Sequence, residues 1–92
     1  MVFEWDEESK AGKDSRKHGV HLPEAFPIFD DPHAITIEDY ESDENEQRFV
    51  TIGAGAKGRV LVVVYTYRGE NIRLISARSA EPHEREEYEE QL

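Results

Sequence analysis

The sequence predicts a small α+β domain, and three observations carry that prediction. First, four strand-like segments follow one another from His33 to Arg78, joined by short turns rather than by helical crossovers. Second, helical signals lie only outside that run, two before it and one after it. Third, 92 residues suffice for one domain with a modest core. The expected order is β-α-α-β-β-β-β-α. It describes a mostly antiparallel sheet of four to five strands packed with two N-terminal helices and one C-terminal helix. Residues 1–92 form a single domain in this reading, with no internal repeat and no linker.

Val2 to Trp5 alternates apolar and polar residues and reads as a short strand. Asp6-Glu7-Glu8 then sets three carboxylates at the expected first turn of a helix, and Lys10, Lys13, Arg16, Lys17 and His18 follow. A helix dipole favours that order of charge, and Gly19 supplies a C-terminal stop. Leu22, Ala25, Phe26 and Phe29 fall at i, i+3, i+4 and i+7, the buried stripe of a second short helix. Pro23 suits its first turn, whereas Pro27 removes a backbone donor and predicts a kink or a tightened end. Asp30-Asp31-Pro32 is a turn signal.

His33 to Tyr40 alternates as a strand, and the acidic stretch up to Glu46 reads as a hairpin loop. Arg48 to Ile52 is the next strand. Gly53-Ala54-Gly55-Ala56-Lys57-Gly58 shares only composition with phosphate-binding loops. It lacks their Lys-Ser/Thr ending and following helix, so it reads as a turn. Arg59 to Tyr67 and Asn71 to Arg78 are the central pair of strands, joined at Arg68-Gly69-Glu70-Asn71. In the first of the pair, Val60, Val62 and Val64 point one way and Leu61 and Val63 the other, which predicts cover on both faces at its centre. The strand ends, with Arg59, Tyr65 and Tyr67, are then the expected working surface. Glu81 to Leu92 reads as a terminal helix, with Ser79 as N-cap and Pro82 in its first turn.

Charge is unevenly distributed. The chain carries a net −10, yet Gln47 to Ala80 contains six basic residues and a single acid, Glu70. A cationic sheet within an acidic protein points to an anionic partner. Two stretches hold twelve of the 21 acids: Glu38 to Glu46 and Glu81 to Glu90. They read either as solvated faces or as surfaces that bind a basic partner or mask the sheet. There is no cysteine, hence no disulfide or thiolate chemistry. The acidic N-terminus does not resemble a signal peptide, and the apolar run Val60 to Val64 is too short to cross a bilayer, so the expected location is cytoplasmic, away from membranes. No His, Asp and Glu cluster has metal-ligand spacing, and no cofactor is expected.

The ordered set of motifs resembles the BrnT toxins of bacterial type II toxin–antitoxin systems. The resemblance rests on Phe3-Glu4-Trp5-Asp6-Glu7, Lys17-His18-Gly19-Val20 with Glu24-Ala25, and Phe29-Asp30-Asp31-Pro32. It continues through Glu46-Gln47-Arg48-Phe49 with Ile52-Gly53, Gly58-Arg59-Val60-Leu61-Val62-Val63, Tyr65-Thr66 and Arg68-Gly69. Ile72-Arg73-Leu74-Ile75-Ser76-Ala77-Arg78, Glu84-Arg85 and Tyr88-Glu89 complete it. Asp14, Ser15, His21-Leu22 and Pro27 depart from the usual pattern. The resemblance implies a compact RelE-like ribonuclease that cuts RNA without a metal and arrests translation. It also implies neutralisation by a ribbon-helix-helix DNA-binding antitoxin, with the toxin either a homodimer or part of a toxin–antitoxin heterotetramer.

Metal-free RNA cleavage needs a group to accept the 2′-OH proton, a cation at the phosphorus and a donor to the leaving 5′-oxygen. Arginine suits the second role because it is permanently charged and can fork two donors onto one phosphate. Arg59 and Arg78 are the first candidates, with Arg73 behind them. Arg48, Lys17, Lys57 and Arg68 are expected to bind RNA. Each arginine also has a plain reading as a strand-end cap or ion-pair partner. Arg73 and Arg78 are separated by an odd number of positions, so a regular strand turns them to opposite faces unless a bulge near Ser76 reunites them. His18, Lys17 and Tyr65 are candidate acid or base. A histidine at a helix end also reads as a carbonyl cap, and a strand tyrosine as core. Glu46 beside Arg48 reads as a base or as an ion-pair partner. Beside the ribonuclease stand two other readings: a catalytically degenerate toxin that keeps an antitoxin- or protein-binding surface, and an interaction domain whose sheet binds an acidic protein segment.

Overall fold

A computed structural model describes residues 2–39 and 46–92. The acidic hairpin loop expected before Glu46 therefore lies largely outside the described residues. Five strands, β1 (Phe3–Glu4), β2 (Ile35–Asp39), β3 (Arg48–Ala54), β4 (Val60–Arg68) and β5 (Asn71–Ser79), form one sheet in the order β1-β5-β4-β3-β2. The last four form an antiparallel meander. β1 joins β5 in parallel, through Phe3 opposite Ile72 and Glu4 opposite Arg73, so the sheet is mixed. The class is α+β.

The helices differ from the expectation in ways that follow from local chemistry. α1 spans Lys10–Lys17, and its N-cap is Ser9, whose hydroxyl accepts the Gly12 N–H at 2.9 Å. Asp6, Glu7 and Glu8 precede the helix instead of forming its first turn. A side-chain oxygen at the N-cap satisfies an orphan donor directly, which a nearby carboxylate charge does not. Gly12 fits closely over this entry turn: a Cβ there would lie 2.4 Å from the Asp6 carbonyl oxygen. Gly19, at φ +81°, ends the helix as its sequence suggests.

The second expected helix is a 3-10 segment, Leu22–Asp30, with Pro27 inside it. Its buried residues are Leu22, Ala25 and Ile28, three apart, while Phe26 and Phe29 are only partly covered. Three residues per turn replace 3.6, and the buried stripe shifts accordingly. α2 spans Pro82–Glu89. Glu81 caps it with Glu84 reaching back to the Glu81 N–H at 2.8 Å, and Ser79 stays in β5.

The main core lies between the 3-10 segment and one face of the sheet. Leu61, Val63, Tyr65, Ile72, Leu74 and Ala77 meet Val20, Leu22, Ala25 and Ile28 there. A smaller cluster on the opposite face joins Ile52 and Val62 to Ala80 and Tyr88, which fastens α2 to the sheet. α1 lies along the outer side of β5 beyond β1, where the Ser15 hydroxyl accepts the Ala77 N–H at 3.0 Å. The helix thereby takes the place of a neighbouring strand and covers that edge.

Candidate functional site

Cross-strand partners share a face, so the register lists what each face carries. On the face away from the main core, one row runs Asp39, Arg48, Thr66, Arg73 and Glu4. The next runs Ile37, Val50, Val64 and Ser76, and the third runs Ile35, Ile52, Val62 and Arg78. Arg73 and Arg78 share this face because β5 is bulged: Val64 pairs with Ser76 but Tyr65 pairs with Leu74, which leaves Ile75 without a counterpart. The bulge that could reunite the two arginines, which nothing in the sequence demanded, is present.

Tyr88 of α2 covers Ile52 and Val62, and α1 borders the other side. Between them is an open groove of about 430 Å³, floored by Val50, Val62 and Val64. Asp14, His18, Ser76 and Arg78 stand around it. A smaller depression of about 140 Å³ adjoins it along α1, with Ala11 common to both, and carries Arg48, Arg73 and Glu46. Mid-β4 is covered on both faces as expected, with Leu61, Val62 and Val63 buried and Val64 half-buried beside the groove. The strand ends expected to be open are so only in part: Tyr67 is 50% exposed, whereas Tyr65 is buried.

The candidate side chains do not converge on a single pocket. His18 is the C-cap of α1; its backbone N–H bonds back to Asp14 and Ser15 while its ring borders the groove. Arg78 donates to both oxygens of Glu84, at 2.7 and 2.9 Å, and to the Ser79 carbonyl. The Arg78 guanidinium, with a further bond from the Glu81 N–H, holds the Glu84 carboxyl down to about 2, against the opposing effect of burial. Arg78 itself remains exposed at the groove rim. Arg73 makes no hydrogen bond or ion pair among the described residues, since its row neighbour Glu4 accepts from Asn71 at 3.1 Å and faces Arg68 at 3.9 Å.

Arg59 lies elsewhere. It bridges the 3-10 segment and β5 through Glu24 and the Gly19 carbonyl, both at 3.3 Å, and the Ser79 hydroxyl at 2.9 Å. Tyr65 is 3% exposed and bonds Thr51 at 2.8 Å, with its ring between Phe29 and Phe49. Arg68 borders a third depression with Phe49 and the half-exposed Tyr67 at the far end of the sheet. Lys17 is exposed in the last turn of α1. Lys57 is exposed at φ +62° in the turn between β3 and β4. Among the described residues, no group of three or more His, Cys, Asp or Glu side chains could hold a metal ion.

Residues 5–84 match the family model described as ribonuclease toxin, BrnT, of type II toxin-antitoxin system. The chain belongs to the BrnT family. The BrnT match spans every element from α1 to β5 and ends at Glu84, the partner of Arg78. No curated protein matches the chain. Membership makes it a toxin-family protein with an antitoxin partner, and it agrees with the ribonuclease reading. Among the described residues, no helix is long and apolar enough to cross a membrane.

Two features of this BrnT-family chain escaped sequence reasoning. One is Asp14, four residues before His18 and thus one turn from it on α1, a spacing that places both on one helix face. The other is Asp31, which reads only as a turn residue. Its Oδ2 accepts the Ala54 N–H at 2.9 Å and the Tyr88 hydroxyl at 2.6 Å. Burial pushes the Asp31 carboxyl up, but the bonds from Tyr88, Ala54 and His33 outweigh it and lower it overall. The same contact, helped by burial, raises the Tyr88 hydroxyl to about 12.

Proposed function

We propose that this protein is a metal-independent endoribonuclease of the RelE-like kind that arrests translation in the cytoplasm, and that the groove beside α1 is its active face. The observation that carries this reading is the bulge at Ile75. It puts Arg73 and Arg78 on the same open face as Arg48, beside His18, in a chain whose family is named for ribonuclease toxins. A polynucleotide strand laid along the groove meets cations at both ends and an apolar floor between them.

In this reading the scissile phosphate lies at the end of the groove with His18 and Arg78. Glu84 fixes the Arg78 guanidinium, whose Nε–H and second Nη2–H remain to face a phosphate oxygen. The 2′-oxygen attacks phosphorus as its proton leaves to a base, the 5′-oxygen departs and takes a proton from an acid, and the product is a 2′,3′-cyclic phosphate. His18 serves one of those proton steps. Arg73 and Arg48 hold a neighbouring backbone phosphate, and Lys17 lends long-range attraction. Arg59 and Tyr65 act in this scheme through the fold, by tying the 3-10 segment and the core to the sheet.

The test is incubation of purified protein with single-stranded RNA in the presence of EDTA. Fragments ending in cyclic phosphate are expected, with His18→Ala at least about 100-fold slower, in line with the loss of a general acid or base. Arg73→Ala should lower the slope of log affinity against log salt by about 0.7, the value for one phosphate contact on a single strand. Uncut RNA at high enzyme concentration removes the proposal.

A second reading, a degenerate toxin that only binds its antitoxin, is favoured by the pairing of Arg59 and Arg78 with Glu24 and Glu84. Absence of toxicity in both the wild type and the Arg59→Ala, Arg78→Ala double variant, with antitoxin affinity unchanged, would establish it. In either reading the partner is a ribbon-helix-helix antitoxin, in a toxin–antitoxin heterotetramer or with a toxin homodimer.

A further inference from the structure

We infer that the valine-floored groove is a base-recognition subsite and that Asp14 selects guanine in it. The inference rests on the ribonuclease reading and deepens it. The groove's about 430 Å³ admits a purine ring, and the half-buried Val50 and Val64 offer its plane an apolar bed. The polar groups at the rim are few: Asp14 and His18 on α1, Ser76 and Arg78 on β5.

Asp14 is the group the proposed mechanism leaves unused. Its carboxylate has no hydrogen bond or ion pair among the described residues, although Lys10 and Lys17 stand within one turn of it along the chain. It is exposed yet borders the groove, so it is available to a ligand. An ionised carboxylate only accepts hydrogen bonds, through two adjacent oxygens. Guanine places two donors side by side, N1–H and the N2 amino group, and so matches both oxygens. Adenine places the N1 lone pair beside its amino group, and cytosine the N3 lone pair beside its own, which sets an acceptor against the carboxylate. Uracil offers one N–H between two carbonyls. Discrimination thus comes from repulsion of the wrong base as well as attraction of the right one. The Ser76 hydroxyl on the opposite rim can donate to O6 or N7.

The probe is a set of fluorescein-labelled pentanucleotides, UUGUU, UUAUU and the inosine form UUIUU. Each carries a 2′-deoxy central residue so that it is not cut there. Affinity is read by fluorescence anisotropy on the intact protein. The guanine oligomer should bind about 10-fold more tightly than the adenine one. Inosine, which keeps N1–H but lacks the amino group, should fall between them. Asp14→Asn, on an exposed helix position, should erase the preference, and circular dichroism will report whether its fold is intact. Equal affinity for all three oligomers, or a guanine preference that survives Asp14→Asn, overturns the inference while leaving RNA cleavage by the wild type untouched. Failure of the wild type both to bind any oligomer and to cut RNA overturns the inference and the ribonuclease reading together.

Discussion

The Tyr88 hydroxyl donates to Asp31 Oδ2 at 2.6 Å, joining the C-terminal helix to the turn that ends the 3-10 segment. The same oxygen also takes the Ala54 N–H, so one carboxylate links α2, the end of β3 and the 3-10 segment.

Tyr88→Phe should therefore loosen α2 without emptying its apolar contact with Ile52 and Val62. The loss of a hydrogen bond to a charged acceptor is worth about 1.5–3 kcal/mol, and Asp31 keeps its two backbone donors, which favours the lower end. Urea unfolding should show a lower midpoint with an unchanged slope. A midpoint equal to wild type would mean that the bond contributes nothing net.

Acid should act first through Glu84. Its folded carboxyl titrates at about 2, below the ordinary 4.5, mainly because of the Arg78 hydrogen bonds. A depressed value contributes stability that is complete above about 4.5 and is lost as pH falls from there toward about 2. Glu84→Gln should flatten stability against pH across that window. An unchanged profile in thermal melts between pH 5 and about 2 would show that the pair is screened by solvent.

Ser15→Ala should cost more than its small volume suggests. The substitution leaves the buried Ala77 N–H without an acceptor at the covered edge of β5. An orphaned buried donor costs about 1–3 kcal/mol. Hydrogen exchange at Ala77 is the direct readout and should accelerate in the variant relative to amides in mid-β4.

Gly55→Ala tests a close approach. An added Cβ would lie 2.5 Å from Leu61 Cδ1 and 2.7 Å from the Glu24 carbonyl oxygen. The carbonyl belongs to the backbone and cannot step aside as a side-chain tip does, so a loss of about 1–3 kcal/mol is expected in urea unfolding. Gly55→Ser should behave alike, because the clash begins at Cβ.

Much of the sheet was legible because alternation is a direct imprint of the strand on the sequence. Val2 to Trp5 and His33 to Tyr40 alternate, while Val60 to Val64 is an unbroken apolar run that reads as a strand covered on both faces. The parallel seat of β1 was not legible, since two residues carry no direction of pairing. The bulge at Ile75 has no mark in Leu74-Ile75-Ser76; it could be raised only as a condition for uniting Arg73 with Arg78. The 3-10 segment shows the limit of stripe counting: Leu22 and Ala25 satisfy either helix, and Ile28 against Phe29 decides between them only once packing is known. Around the groove, the presence of His18 and of arginines on neighbouring strands was readable from residue type and position. The carboxylate partners of Arg59 and Arg78 were not, because Glu24 and Glu84 reach them through space. Tyr65 could be read as a reacting group or as core, and its environment places it among the rings.

The parallel seat of β1 also bears on when the protein becomes whole. Phe3 and Glu4 dock beside Ile72 and Arg73, so β1 has no berth until the distant β5 is in place. Such a long wait is entropically costly and slows the final closure. The strand that completes the sheet is thus the one whose docking waits on the antiparallel meander that receives it.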